Sequence, residues 1–237
     1  KSKHCLDSNI PMKQKQQEEI ESIRHSLAHL LAMAVLKKFP KAKLGIGPVI
    51  ENGFYYDFKL PKPISDGDLK ELEASMRGFI AQKLDFTGEK ITLLKAKKIF
   101  KDQPFKLELI KELVKEKKPL TAYHTGSFTD LCRGGHVKNT SEINPAAFAL
   151  QKIAGAYWKG NEKNPQLLRV YGVAFTTEQE LDAHLAFLEE AKRRDHKRLG
   201  IELDLFTFSD LDGSGLPLWT PKGTTLRNIL DTKVWEL

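Results

Sequence analysis

The sequence predicts an α+β fold in which helices pack on an antiparallel sheet. Three observations carry this prediction: a helical repeat of apolar residues near the start, a hairpin signal at Asn52-Gly53, and further short strands and helices up to about residue 176. These patterns divide the chain into a polar leader (1–16), a main domain (17–176), a long charged linker helix (177–200) and the beginning of another domain (201–237).

The first helix is predicted from about Gln16 to Lys38 and ends before Pro40. Its apolar stripe consists of Ile20, Ile23, Leu27, Leu30, Leu31 and Ala34. His25 and His29 project roughly opposite this stripe, among neighbours that carry few charges. We therefore expect the histidine face of the helix to be covered rather than exposed to water.

A β-hairpin is predicted at 44–58, because Asn52-Gly53 favours a type I′ turn between two β-rich runs. Strand alternation places Phe54, Tyr56 and Phe58 on one face. The remaining expected elements of the main domain are a helix after Ser65-Asp66, a strand at 86–94, a helix at 104–116, a strand at 120–124, a loop at 125–137, and strands at 148–153 and 168–175.

The linker helix begins at a capping box formed by Thr177 and Glu180, and we expect it to run to Leu199 and to end at Gly200. A stretch rich in glycine and proline follows, and a further helix is expected from near Thr224. The charged surface of the linker is typical of a helix that bridges two domains.

Composition sets limits on the class of protein. The 237 residues are 41% hydrophobic and 29% charged, with no apolar run of about 18 residues and no signal peptide, so we expect no membrane partner. Only Cys5 and Cys132 occur, which indicates a reducing compartment and a cytoplasmic location. The formal charge of +7 favours a polyanionic partner such as RNA, although scattered surface lysines would give the same value.

The most informative motif is a pair of matching spacings, His25-x3-His29 and Cys132-x3-His136. Residues four apart on a helix address one point, and Gly134-Gly135 allow the second pair to fold toward a common centre while exposing backbone N–H groups. Three interpretations stay open from the residues alone: buried core residues, a zinc site with four protein ligands, or a metal-free hydrolytic pocket. The spacing by itself slightly favours zinc.

Three neighbouring polar residues are also candidates, each with an ordinary alternative. Asp130 could orient a histidine or only form a local turn. Lys106 could enter the pocket or lie on the surface of an amphipathic helix. His124 is expected to be structural, because it lies on a strand beside Tyr123.

Several segments together resemble threonyl-tRNA synthetases of the bacterial type. These are RHSLAHLLAMAV at 24–35, GIGPVIENGFYYDF at 45–58, TDLCRGGH at 129–136, AGAYWKG at 154–160, KRRDHKRLGIELDLF at 192–206 and GSGLPLWTPKGTTLRNIL at 213–230. The resemblance implies that 17–176 is an editing domain, that 177–200 is the linker, and that 201–237 begins a class II catalytic domain with an antiparallel sheet.

Carried over by position, the family's editing pocket consists of His25, His29, Tyr56, Lys106, Asp130, Cys132 and His136. The resemblance implies hydrolysis of mischarged Ser-tRNA(Thr) without a bound metal. We expect Lys106, His25 or an adjacent histidine to position water or the terminal ribose. Tyr56 would stack on or hydrogen-bond the terminal adenosine, and its ordinary alternative is an aromatic residue of the hairpin core. Gly134 and Gly135 would supply oxyanion donors, with Cys132 as a pocket wall. One departure is Gly135, where many family members have proline, which we expect to loosen the loop.

The resemblance also sets expectations for the parent enzyme. An intact threonine–tRNA ligase would use ATP, Mg and a catalytic-domain Zn and would form a homodimer through its catalytic domain. The second and third class II motifs and those zinc ligands do not occur in this sequence, so we expect editing without aminoacylation. The alternatives are a zinc-dependent alanyl-type editing protein, with zinc on the four His and Cys residues, and a non-catalytic tRNA-binding module.

Overall fold

The computed structural model describes residues 10–209, 211, 213 and 215–236. The chain divides after Leu181 into two compact units. The first nine residues of the predicted polar leader lie outside the described part. Helix α1 spans Ile10–Lys38 and so begins earlier than the predicted start near Gln16. No helix among the described residues is long and apolar enough to cross a membrane.

The first unit combines helices with two antiparallel sheets, and the predicted α+β class is confirmed. After α1 the elements are β1 (Lys43–Leu44), β2 (Val49–Ile50), β3 (Gly53–Lys59), α2 (Asp66–Ala81), β4 (Phe86–Lys90), α3 (Leu93–Ile99), α4 (Pro104–Lys115), β5 (Thr121–Thr125), β6 (Phe128–Leu131), β7 (Phe148–Tyr157) and β8 (Gln166–Ala174). The larger sheet has the order β1-β3-β8-β7, with β2 also paired to β3, and the smaller sheet has the order β4-β5-β6.

Helix α1 is buried on both of its sides, which confirms the expectation that its histidine face is covered. Leu27 and Leu31 of the predicted stripe are fully buried, and so are Ala28 and Ala32 on the other side. The helix packs against α2 and β3. Burial of each leucine contributes about 1.5–3 kcal/mol, so α1 is held firmly at the centre of the unit.

The hairpin forms, but its turn lies one residue earlier than the Asn-Gly signal predicts. Ile50 pairs with Gly53, so the turn residues are Glu51 and Asn52. Gly53 is required by the neighbouring strand instead, because a Cβ at this position would lie 2.0 Å from the Gly172 carbonyl oxygen on β8. The predicted alternation of the strand is confirmed, since Phe54, Tyr56 and Phe58 are fully buried.

Two other segments of the first unit differ from expectation. The strand predicted at 86–94 ends at Lys90, because Thr92 accepts a hydrogen bond from the Lys95 N–H and caps α3. The loop predicted at 125–137 contains β6, which pairs with β5 after a turn at Gly126 (φ 57°). The pairing of β6 places Cys132 at the end of a strand, directly before the glycine pair.

The second unit begins in α5 (Glu178–Arg193), followed by α6 (His196–Glu202), a two-stranded antiparallel ladder of β9 (Phe206–Thr207) and β10 (Leu218–Trp219), and α7 (Pro221–Trp235). The capping box is confirmed: Glu180 accepts the Thr177 N–H and donates its own N–H to the Thr177 hydroxyl. Helix α7 begins before the predicted position near Thr224, because Thr220 caps it ahead of Pro221. The domain boundaries at 176 and 200 stay predictions.

A single linker helix that ends at Gly200 is wrong. The helix ends at Arg193, and Asp195 then caps α6 by accepting the Arg198 N–H. Gly200 lies inside α6, where a Cβ would be 2.1 Å from the Phe206 ring. The glycine therefore allows a close side-chain approach rather than ending a helix.

We predict that Gly53→Ala destabilises the protein by about 2 kcal/mol or more, because the added methyl group collides with the backbone of β8. Chemical denaturation monitored by circular dichroism measures the free energy of unfolding. Gly78→Ala in α2 is the matched control, since no atom lies within 4 Å of its Cβ position. That change should be stabilising by about 0.5–1 kcal/mol; equal effects of the two substitutions would contradict the role of Gly53.

Candidate functional site

The two pairs predicted from their spacing converge. Helix α1 presents His25 and His29, and the loop after β6 presents Cys132 and His136. One donor atom from each of the four residues lies within 4.8 Å of the other three. The Cys132 Sγ atom is 3.2 Å from His25 Nε2 and 3.3 Å from His136 Nε2. We call these four residues the tetrad.

The glycine pair shapes the loop that holds Cys132 and His136. Gly134 and Gly135 have φ values of 103° and 84°, in the region that favours glycine. The Gly134 N–H donates to Cys132 Sγ at 3.4 Å, so in this structure it serves the sulfur rather than standing free as an oxyanion donor. A Cβ at Gly134 would lie 2.5 Å from the Tyr123 hydroxyl oxygen.

The departure at Gly135 has a specific geometric meaning. Proline fixes φ near −65°, whereas Gly135 has φ 84°. The loop conformation described here is therefore closed to proline. The expectation that glycine loosens this loop stays a prediction.

Behind the tetrad lies a buried network centred on Asp130. Its Oδ1 atom is 2.5 Å from Lys106 Nζ and accepts the Leu131 N–H at 2.8 Å. Its Oδ2 atom accepts the Tyr56 hydroxyl at 2.5 Å and lies 3.7 Å from His29 Nε2. Asp130 therefore does more than form a local turn, because it joins β6, α4 and β3.

Lys106 is not a surface residue. It is 2% exposed and lies near the start of α4, where it pairs with the equally buried Asp130. A buried ion pair keeps its charges only because each partner compensates the other. The alternative of an ordinary surface lysine is wrong, and the ammonium group lies within the same network as Tyr56.

Tyr56 is fully buried, and its position conflicts with a role in base stacking. Its ring stacks on Phe58 with centroids 4.9 Å apart, and the Lys106 ammonium lies 5.4 Å from the ring centroid. With no exposed face, the ring has no surface to offer a nucleoside. What Tyr56 does in this structure is hold Asp130 through its hydroxyl group.

Burial keeps the tetrad in neutral forms. Desolvation lowers the pKa of His25, and desolvation together with His25 and Lys106 lowers the pKa of His29 well below its usual value. Desolvation and the two neighbouring histidines lower the pKa of His136 to about 2. Desolvation raises the pKa of Cys132 to about 11, although the Gly134 N–H opposes this shift. At neutral pH the site therefore presents neutral imidazoles and a protonated thiol.

An open cleft of about 530 Å³ reaches one side of the tetrad. It is lined by His25, Ile46, Gly47, Pro48, Leu109, Glu112, Leu113, Glu116, Pro119, Thr121, Leu131, Cys132 and Arg133. His29 and His136 do not line it, and His29 is only 2% exposed. The volume is in the range of small-ligand sites, and a bound molecule would meet His25 and Cys132 first.

The donor set of the tetrad fits a four-coordinate metal ion. Zinc–ligand bonds of about 2.0–2.3 Å in a tetrahedron require nitrogen–sulfur separations of about 3.5 Å, close to the two measured here. His29 Nδ1 is buried without a hydrogen-bond partner among the described residues. His25, His29, Cys132 and His136 would hold such an ion, which would supply Lewis-acid chemistry.

Two further residues, Ser26 and Tyr123, lie against the tetrad and were not predicted from the sequence. Ser26 is fully buried and contacts His136, and a serine at a buried helix position was the available signal. Tyr123 pairs with Asp130 across the small sheet, and its ring centroid is 4.8 Å from that of His136. His124, expected to be structural, hydrogen-bonds Thr129 and Glu89.

Comparison with known proteins places this geometry in a family context. Residues 120–171 match the family described as the threonyl and alanyl tRNA synthetase second additional domain. The chain is 50% identical over 229 residues to a threonine–tRNA ligase of Gloeobacter violaceus, an alignment that covers 96% of this chain and 36% of the relative. It is 48% identical over 222 residues to the threonine–tRNA ligase of Treponema pallidum strain Nichols, with 94% and 37% covered.

A third relative, the threonine–tRNA ligase of Synechococcus elongatus, is 47% identical over 216 residues, which cover 90% of this chain and 35% of that protein. The chain thus spans little more than a third of the length of the curated relatives it matches. The resemblance seen in the motifs is confirmed: this chain is a relative of a segment of the bacterial threonine–tRNA ligases, and its residues 120–171 match the second additional domain of threonyl and alanyl tRNA synthetases.

Proposed function

We propose that the cleft removes serine from tRNA(Thr) that has been charged with the wrong amino acid. In this reaction water adds to the ester carbonyl carbon, the bond to the terminal ribose oxygen breaks, and that oxygen takes a proton. The products are serine and uncharged tRNA. The observation that carries the proposal is the convergence of the tetrad at the wall of an open cleft, in a chain related to threonine–tRNA ligases.

Such a site overcomes a limit on how well a binding pocket can distinguish serine from threonine. Serine lacks one methyl group of threonine, and a difference of that size is worth only about 1–3 kcal/mol in a binding pocket. A synthetic site cannot exclude serine well enough on this basis. A second site that hydrolyses the wrong ester removes the error after it has been made.

Within the proposal, the residues divide by their access to the cleft. His25 lines it and holds a neutral imidazole, so it positions the attacking water or the ribose hydroxyl. His29 and His136 lie behind His25, with ring centroids 5.2 and 4.1 Å from its own. Lys106 and Asp130 hold these two histidines in place, and Tyr56 acts through Asp130 rather than on the adenosine.

Cys132 serves as a wall of the cleft and not as the nucleophile. Its thiol is protonated at neutral pH because burial raises its pKa to about 11. Attack on an ester requires the thiolate. Gly134 and Gly135 shape the loop, and a tRNA ester would have to displace the contact from Gly134 to sulfur before using that amide.

The partners and cofactors follow from the same proposal. The 3′ end of tRNA would enter the cleft, and the reaction would need no cofactor. ATP, Mg, a catalytic-domain Zn, aminoacylation and a homodimer would belong to an intact ligase, and a cytoplasmic location is consistent with that role.

A second candidate is a zinc-dependent editing site of the alanyl type, favoured by the close approach of the four donor atoms. A third candidate is a module that binds tRNA without hydrolysing the ester, and an assay of deacylation tests it. Each candidate predicts a different combination of metal content and deacylation.

His25→Ala should lower the rate of Ser-tRNA(Thr) deacylation at least about tenfold, because it removes the imidazole that faces the cleft. Single-turnover release of labelled serine measures this rate. His124→Ala is the control, since its side chain hydrogen-bonds Thr129 and Glu89 and belongs neither to the tetrad nor to the lining of the cleft. An unchanged rate in His25→Ala would refute the assigned pocket, and tRNA binding without any turnover would favour the non-catalytic module.

Metal analysis of the purified protein separates the two catalytic candidates. The metal-free proposal predicts full deacylation after dialysis against a chelator, with much less than one zinc per chain. One tightly held zinc per chain and loss of activity on its removal would favour the alanyl-type site.

Lys106→Ala is unsuitable as a test variant, because the unpaired Asp130 would destabilise the fold by about 3–5 kcal/mol.

Cys132→Ser should retain deacylation to within about threefold, because a hydroxyl of similar size still forms the wall and no thiolate is needed. Alkylation of Cys132 is the matched steric probe. It should block the cleft and abolish the activity. Inactivity of a folded Cys132→Ser variant would show instead that the sulfur takes part in the reaction.

Any fall in the rate on acidification should be centred below pH 6.5. An ordinary histidine becomes half protonated at about pH 6.5, but burial lowers the pKa of His25 below this value, so its neutral form persists to lower pH. Initial deacylation rates corrected for spontaneous ester hydrolysis measure the profile. A decline centred near pH 6.5 would show that the catalytic imidazole has an unperturbed pKa.

A further inference from the structure

Ser26 links α1 to the loop that carries His136. Its side chain is fully buried between His25 and Leu27. The Ser26 Oγ atom lies 2.8 Å from the Ser22 carbonyl oxygen, 3.1 Å from the Val137 nitrogen and 3.3 Å from His136 Nδ1. These three contacts use the full capacity of one hydroxyl group, which is one proton and two acceptor positions.

The directions of these hydrogen bonds follow from the partners. The Val137 N–H can only donate, and the Ser22 carbonyl can only accept. The shortest of the three contacts leads to that carbonyl, so the hydroxyl proton points along α1 toward Ser22. The remaining acceptor position faces His136 Nδ1, and that nitrogen must carry a proton to use it.

A neutral imidazole has only one N–H. With the proton on Nδ1, His136 Nε2 carries a lone pair, and this atom lies 3.3 Å from Cys132 Sγ. We propose that Ser26 is a positioning residue that holds His136 in the Nδ1–H tautomer and so presents the Nε2 lone pair to the centre of the tetrad.

The opposite tautomer would aim an N–H at the tetrad centre, where a proton acceptor is needed. A lone pair on Nε2 suits both a metal-free site, where it is an acceptor for a hydrogen bond from the thiol or from water, and a metal site, where it would be the ligand. Outer partners that fix a histidine in this way are typically worth 10–100-fold in activity or metal affinity. Ser26 therefore acts through His136 and touches no substrate.

The tautomer is measured directly by long-range ¹H–¹⁵N spectra of the full chain labelled with ¹⁵N-histidine. The wild-type protein should show His136 protonated at Nδ1 and unprotonated at Nε2. In Ser26→Ala the resonances should shift toward the Nε2–H form, and Ser26→Thr, which keeps the hydroxyl, should restore the wild-type pattern. Ser22→Ala is the matched control, because that hydroxyl donates to the Glu18 carbonyl in the same helix and does not reach His136.

A kinetic measurement extends the test and rests on the proposed function. Ser26→Ala should lower the kcat of Ser-tRNA(Thr) deacylation about tenfold with KM within about twofold, and Ser26→Thr should recover most of the rate. A wild-type protein that does not deacylate would remove the proposed function but leave the spectra to decide the role of Ser26.

Two results would overturn the inference. The first is an Nε2–H tautomer in the wild-type protein, which needs no variant and stands even if Ser26→Ala does not fold. The second is an unchanged His136 tautomer in folded Ser26→Ala; if kcat falls in that variant all the same, Ser26 matters only for packing.

Discussion

The buried carboxylate of Asp130 is the constraint on which the arrangement of the first unit depends. A carboxylate taken out of water needs compensation of several kcal/mol, and here it comes from the Lys106 ammonium, the Tyr56 hydroxyl and the Leu131 N–H. These partners lie on α4, β3 and β6, so satisfying one charge aligns three elements from distant parts of the chain. Cys132 follows Asp130 by two residues, so the same alignment fixes its position.

The same interior explains why the tetrad is neutral. Three imidazoles and a thiol lie close together in largely buried positions, and burial opposes a charge on any of them. The charged pair of Lys106 and Asp130 lies behind the tetrad, where each charge compensates the other. A site built in this way can orient water or a hydroxyl group without a permanent charge on the tetrad itself, while the charged residues of the cleft are Glu112, Glu116 and Arg133 of its lining.

Local patterns predicted much of this structure because their causes are local. Helical spacing placed His25 and His29 on one face, strand alternation buried Phe54 and Phe58, and the capping box at Thr177 formed as expected. The failures came from tertiary contacts. Gly53 and Gly200 look like turn and cap residues in the sequence, but each is required by a group far away in the chain or on another element.

Among the site residues, too, local patterns were predictable from the sequence and long-range contacts were not. The tetrad was recognisable from its paired spacing, whereas the burial of Lys106 depends on Asp130, and the contact of Ser26 with His136 joins residues 110 positions apart. No periodic pattern in the sequence predicts these long-range contacts. The family resemblance indicated Lys106, Asp130 and Tyr56 by position, but only the folded structure shows that the buried Tyr56 hydroxyl donates to the Asp130 carboxylate.

The left-handed backbone at Gly135 has an evolutionary consequence. A relative with proline at this position must direct the chain differently between Cys132 and His136, since the two residues require φ of opposite sign. Exchange of these residues is therefore a change of main-chain route, not a conservative replacement. Transplanting a proline-bearing loop onto this scaffold would have to move the sulfur and the imidazole together, and a homologue's ligand geometry cannot be assumed to transfer atom for atom.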